Sequence, residues 1–179
     1  MIKLTIEELN RLDIDAYHRV KKRPIRVILD NIRSQHNIGS IFRTADAFRI
    51  EGIDLCGICC CPPDKEIHKT ALGAEEAVSW TYYKNTEEAA AELKKKGYTI
   101  WGIEQAHNSI TLQNAIKKSP PKHLAVILGH EVFGIQEGVL TLCDDIIEIP
   151  QYGTKHSLNV SVTAGIILYE ISSQYPILP

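Results

Sequence analysis

Residues 149–170 read IPQYGTKHSLNVSVTAGIILYE, and the joint inside that passage is unusual. A short apolar strand carrying Ile146, Ile147 and Ile149 stops at Pro150, and Pro150 and Gly153 force a bend. From Ser157 to Tyr169 no residue is charged. Ser157 is the expected N-cap of a helix, with Asn159 in its first turn. Val160, Val162, Ile166 and Ile167 leave that helix no polar face, so it is expected to be covered on every side, by its own domain or by a second subunit. Polar groups at the mouth of a buried helix need partners. A capped core helix accounts for Ser157 but leaves the length of the loop with Gly153, Lys155 and His156 unexplained.

Working outward, short β-branched runs alternate with helical patterns. Strands are expected at Ile25–Asp30, Ile53–Cys59, Ala77–Tyr82, Thr99–Ile103, Leu124–Leu128 and Ile146–Ile149. Between them lie segments such as NTEEAAAELKKKG, with Thr86 as the expected N-cap and Gly97 as its stop. Such alternation argues for an α/β domain with a mostly parallel sheet. No internal repeat, low-complexity tract or linker interrupts it. The reading is one domain over residues 25–179 after a short, helical and basic extension, residues 1–24.

Composition narrows the function classes. The chain has 179 residues, 44% hydrophobic and 23% charged, with a net charge of −2, as in ordinary globular proteins. Nothing global advertises a nucleic acid, yet HRVKKRPIR, His18 to Arg26, is a basic cluster. No apolar run approaches a membrane span, and the first residues lack the apolar centre of a signal peptide, so a cytoplasmic protein is the expectation. Four of the five cysteines crowd into CGICCC, Cys56 to Cys61, inside an apolar run, while Cys143 stands alone. A zinc site wants two ligand pairs, so reduced, mostly buried thiols are expected and no metal.

Ligands of parallel sheets bind beyond the carboxyl ends of the strands, and three such loops carry chemistry. In DNIRSQHNIGSIFRTADAFRI, Asn37 is a good N-cap for a helix with the apolar stripe Ile38, Ile41, Phe42, Ala45 and Phe48. Arg43 lies off that stripe. It could pair with Asp46 at the surface, or it could grip a phosphate beside Gly39 in bidentate fashion. In LAVILGHEVFGI, Glu131 stands where a dinucleotide fingerprint needs its middle glycine, and a carboxylate there repels a pyrophosphate. A ligand meeting Glu131 should be cationic or uncharged. The third loop is the one quoted first.

Taken together, NIGSIFRTADAF, LGHEVFGI and IPQYGTKHSLNVSVTAGIILYE resemble, in order and spacing, the three motifs of the TrmH (SpoU) family, RNA 2′-O-ribose methyltransferases of the SPOUT superfamily. The resemblance spans roughly Ile25 to Glu170. It implies an α/β fold whose C-terminal part is tied in a deep trefoil knot, where no sequence rule would lead, since chains are by default unknotted. It implies S-adenosyl-L-methionine as cofactor, held largely by backbone groups of Leu128, Gly129, Ile149 and Leu158, with Ile103 and Glu104 nearby. It also implies a homodimer through the knot helix. Asn37 and Arg43 match the first motif's polar pair, Glu131 the second motif's carboxylate, and Ser157 and Asn159 the third motif's pair. His130 and His156 stand at variable positions.

The implied reaction is attack of a ribose 2′-hydroxyl on the sulfonium methyl. Arginine keeps its proton in proteins, so Arg43 is expected to clamp a phosphate and stabilise the developing alkoxide rather than act as the base. Asn37 would orient it, and Glu131 and Asn159 would brace the site. Arg19, Lys21, Lys22, Arg23 and Arg33 are the expected phosphate contacts for RNA. The implied target is a guanosine ribose in tRNA, or else rRNA. Two other classes stay open at this point: an RNA-binding module that kept the fold without catalysis, and a flavodoxin-like nucleotide binder, which Glu131 disfavours.

Overall fold

In the computed structural model, residues 3–5 and 7–177 are described. The chain opens with α1 (Ile14–Arg19), then β1 (Arg23–Asp30), α2 (Gln35–Ala47) and β2 (Ile50–Cys56). Two short helices, α3 (Lys65–Ala71) and α4 (Ala74–Ala77), lead to β3 (Trp80–Tyr83) and α5 (Thr86–Lys95). Then come β4 (Thr99–Ile103), β5 (Ile110–Thr111), α6 (Leu112–Ala115), β6 (Leu124–Leu128), α7 (Glu137–Leu140), β7 (Asp145–Glu148) and α8 (Val160–Ser172). The seven strands form one sheet in the order β3-β2-β1-β6-β4-β7-β5, and every pairing in it is parallel.

Helices cover both faces, as a parallel sheet requires. Alternate β1 residues show it: Val27 and Leu29 face the larger core with Ile38, Ile41 and Phe42 of α2 and Ala164, Ile167 and Leu168 of α8. Ile28 points the other way, toward Ala89 and Leu93 of α5. All five residues of β6 are buried, which is why its sequence runs apolar without alternation. Cys56 and Cys59 lie in these cores as free thiols, and burial pushes the Cys59 thiol up to about 11. The Cys59 Sγ accepts from the Ile32 amide at 3.2 Å, tying the β1 loop down. Among the described residues, no group of three or more His, Cys, Asp or Glu is placed to hold a metal, and no helix is long and apolar enough to cross a membrane.

Several local expectations are corrected. Of the residues 77–79 expected to begin a strand, Ala77 ends the helical turn α4 and Val78 is its C-cap, so β3 starts at Trp80. The second strand ends at Cys56 rather than Cys59, because Gly57 enters the left-handed region with φ +63°. Thr86 does not cap α5. Asn85 does, accepting from the Glu88 amide, while Thr86 turns inward and donates to the buried Asp30 at 2.5 Å. Ser34, not Asn37, caps α2, and Asn159, not Ser157, caps α8.

Gly39 also has a different use. A Cβ there would lie 2.2 Å from the Ile67 carbonyl oxygen and from the Thr70 hydroxyl, so the glycine lets α2 pack tightly on α3. It leaves no room for a phosphate. Nor is α8 covered on every side within one protomer: Val162 is 50% and Tyr169 67% exposed, on an apolar strip that this chain alone leaves uncovered.

Candidate active site

The carboxyl ends of β4, β6 and β7 open onto a cleft of about 520 Å³, a size typical of small-molecule sites. Its floor comes from Ile103, Leu128, Ile147 and Ile149, and the long loop after β7 supplies a wall through His156, Ser157 and Leu158. All six residues expected to hold the cofactor (Ile103, Glu104, Leu128, Gly129, Ile149 and Leu158) line this cleft. Three carboxylates, Glu104, Glu131 and Glu148, also line it, and no lysine or arginine does. Such a lining attracts a cation and repels phosphates.

The loop after β6 is shaped by a close backbone approach. A Cβ on Gly129 would lie 2.2 Å from the Gly134 carbonyl carbon. His130 and Gly134 bond each other's backbone across a tight turn. Glu104 holds the far side, its carboxylate accepting from the Ile135 amide at 3.1 Å, and Gln105 donates to the His156 carbonyl at 2.7 Å. Sequence reading placed Glu104 near the cofactor but missed this tie between two walls.

Glu131 is the hub of the site. Its carboxylate accepts from the amides of Arg33 (3.1 Å) and Ser34 (3.0 Å) and from the Asn37 side-chain amide (3.0 Å). Asn37 in turn accepts from the Asn159 side-chain amide at 3.1 Å. The Asn159 oxygen accepts from the Ser161 amide at 2.8 Å and caps α8. Residues 37, 131 and 159, from the first turn of α2 and the loops after β6 and β7, thus form one hydrogen-bonded chain. Desolvation opposes the charge on Glu131, but the donors from Arg33, Asn37 and Ser34 prevail and hold its carboxyl below the usual glutamate range.

A depressed carboxyl contributes stability that is present above the ordinary glutamate value and lost as pH falls through the lower folded one. Glu131→Gln should therefore be less stable than wild type at neutral pH, and the gap should narrow on acidification. Urea midpoints measured across that range check it. A constant gap would show that the charge is not what matters.

The other expected residues are scattered more widely. No hydrogen bond joins Asn37 to Arg43 among the described residues; the Asn37 amide bonds Glu131 and Asn159 instead. Arg43 is exposed, six residues further along α2, about 9 Å at 1.5 Å per residue. No side-chain hydrogen bond or ion pair engages it among the described residues, so the pairing with Asp46 is absent, and it does not line the cleft of its own protomer. Ser157 lines the cleft and is exposed.

The basic cluster divides. Lys22 donates to the Tyr17 and Val20 carbonyls and lies over the Tyr17 ring at 4.1 Å. Arg23 donates to the Phe48 carbonyl at 2.5 Å and the Ser172 carbonyl at 3.1 Å, closing the ends of α2 and α8. Arg19, Lys21 and Arg33 are exposed. Arg19 and Lys21 precede β1, roughly 25 Å from the cleft end of that strand at 3.3 Å per residue.

Known proteins resemble this chain in sequence and fold. A model of the SpoU rRNA Methylase family matches residues 24–169. The 23S rRNA (guanosine-2′-O-)-methyltransferase RlmB of Vibrio parahaemolyticus is 32% identical over 168 residues, covering 94% of this chain and 66% of the relative. The AdoMet-bound rRNA methyltransferase from Sinorhizobium meliloti superposes with a TM-score of 0.80 at 26% identity, covering 88% of this chain and 59% of that one. The TrmH/SpoU tRNA modifying enzyme of A. aeolicus gives 0.75 at 27% identity, over 86% and 76%. The chain spans about two thirds of the length of the curated relatives it matches. With three motif loops joined at one cleft and a family match running from the first strand into α8, the chain belongs to the SpoU methylase family.

Proposed function

We propose that the chain transfers a methyl group from S-adenosylmethionine to a ribose 2′-hydroxyl of RNA, a guanosine in rRNA being the first reading. The observation that carries it is the junction of Glu131, Asn37 and Asn159 at a cleft lined by carboxylates without a lysine or arginine. That lining suits a sulfonium cation and is unfavourable to the phosphates of flavin or nicotinamide cofactors. The bound cofactor supplies an electrophilic methyl. The protein must then position a weakly nucleophilic alcohol and stabilise the charge that develops on it.

In this reading Arg43 supplies the positive charge, clamping the neighbouring phosphate and facing the alkoxide. Glu131, Asn37 and Asn159 hold α2 and the loops after β6 and β7 in register, and Ser157 lies at the cleft mouth. Arg19, Lys21 and Arg33 are the phosphate contacts left free for RNA, with Lys22 and Arg23 engaged internally. The methyltransferase unit is residues 25–179, with residues 1–24 as an extension and the C-terminal part knotted as in the family. Two protomers pair through α8, and its uncovered strip with Val162 and Tyr169 supports that pairing. Arg43, outside its own cleft, then serves the partner's.

The experiment is transfer of labelled methyl from S-adenosylmethionine to unmodified 23S rRNA and tRNA transcripts, with nuclease mapping of the product. Label on a 2′-O-ribose of rRNA is the expected result. Label on tRNA alone would favour the second reading, which the likeness to the A. aeolicus tRNA modifying enzyme supports. No label on either, with cofactor binding intact, would replace catalysis by RNA binding alone.

A further inference from the structure

Phe133 is 83% exposed, and nothing in the chemistry above uses it. The turn that carries it is firmly built. His130 and Gly134 exchange backbone hydrogen bonds at 3.0 and 2.9 Å. The His130 Nδ1 accepts from the Val132 amide at 3.0 Å and the Phe133 amide at 3.4 Å. Gly134 takes φ +68°, where other residues are strained. The His130 ring lies against Phe133, centroids 4.9 Å apart and planes inclined by 33°. The aromatic ring is thus backed by an imidazole and held out into solvent.

Its neighbours describe what it meets. Val132 lines the cleft and is itself 71% exposed. Glu131, two residues before Phe133, receives the backbone amide of Arg33, and the Arg33 side chain is exposed. Phe133 thus sits between two residues that line the cleft, Val132 and Gly134, and the exposed Arg33 is carried by the loop whose backbone amide Glu131 holds. Val132 and Phe133 alone expose far less surface than a protein interface buries. An exposed flat ring, with a guanidinium on the loop bonded to its own turn, is what an unpaired base and its phosphate require.

We propose that Phe133 is the platform on which an unpaired nucleobase of the substrate stacks beside the methylated nucleotide, with Arg33 on the adjoining phosphate. This rests on RNA being the substrate. The stack selects for single-stranded or splayed-out RNA rather than for a particular base, since every base has a π face.

The test compares wild type, Phe133→Ala and Phe133→Trp on a labelled 23S rRNA transcript, by fluorescence anisotropy and by methyl-transfer kinetics. Phe133→Ala should raise the RNA Kd and KM roughly 10-fold, with kcat changed much less and Phe133→Trp close to wild type. Affinity for S-adenosylhomocysteine by calorimetry and mass by light scattering should not move. Unchanged RNA binding in an active Phe133→Ala protein would overturn the platform while leaving the proposed reaction standing. Loss of S-adenosylhomocysteine binding or of the dimer would overturn it too, assigning Phe133 to the cofactor or to the subunit contact. A wild-type protein that binds S-adenosylhomocysteine but neither binds nor methylates RNA would remove both proposals.

Discussion

Arg43→Ala is expected to lower methyl transfer by about 10²–10³ or more, the loss seen when a group facing developing charge is removed, while affinity for S-adenosylmethionine stays near wild type. The separation follows from position. Arg43 is exposed on α2 and does not line its own cleft, and the buried side of the helix is made by Ile38, Ile41, Phe42 and Ala45. Truncation removes nothing from the core, so stability should move by about 0.5 kcal/mol at most. Arg43→Lys keeps the charge and loses the planar fork, and intermediate activity is expected. Mixing subunits tests whether the arginine acts across the proposed dimer. Arg43→Ala subunits combined with Leu158→Arg subunits, whose cleft lining carries an added cation, should recover about a quarter of wild-type activity, because half the dimers are mixed and each has one complete site. No recovery would place Arg43 at its own protomer's cofactor. Equal loss of cofactor binding and turnover in Arg43→Ala would remove the charge role altogether.

Asp54→Ala should destabilise the fold by about 3–5 kcal/mol, the usual cost of leaving a buried charge without its partner. At roughly 2–4 °C per kcal/mol for a chain of this size, the melting temperature falls by about 10 °C. The Asp54 side chain is fully buried and the Arg26 side chain 13% exposed. Two hydrogen bonds of 2.8 and 2.5 Å join them across adjacent strands. Gly52 makes the space: a Cβ there would lie 2.9 Å from an Arg26 Nη. Replacing both partners, as Arg26→Met with Asp54→Leu, should cost far less than Asp54→Ala, because no charge is stranded. A double variant as unstable as the single one would contradict this. The pair lies on the α5 side of the sheet, so the methyl-transfer rate should be unchanged below the melting transition.

Parallel strands were legible in the sequence because they are buried on both faces and run apolar. β4 and β6 fall on the residues that the pattern marks. Helix starts were not, and the reason is shared. Asn37, Thr86 and Ser157 are all good capping residues by type, but Thr86 is drawn away by Asp30 and Asn37 by Glu131, partners that come near only through the fold. Arg26 and Asp54 were hidden for the same reason, 28 positions apart inside strand-like runs. The basic cluster misled because adjacency in sequence hid direction. Lys22 and Arg23 face helix ends that need donors, and Arg19 and Lys21 sit at the end of β1 remote from the cleft. Gly39 looked like room for a ligand, and only the position of α3 shows that the room is taken.

The chain from Glu131 through Asn37 to Asn159 has a direction, and direction limits which sequences can occupy it. The carboxylate takes the Asn37 nitrogen, which turns the Asn37 oxygen toward Asn159. That takes the Asn159 nitrogen and turns its oxygen onto the α8 amides. Aspartate is as good an N-cap as asparagine, yet at position 159 it has no N–H to give. At position 37 it would set a second carboxylate against Glu131. One of the mildest exchanges in the amino-acid alphabet, asparagine to aspartate, is thus closed at both positions, and a change at either becomes tolerable only together with a change at Glu131. The three sites can drift as a set, and hardly at all one by one.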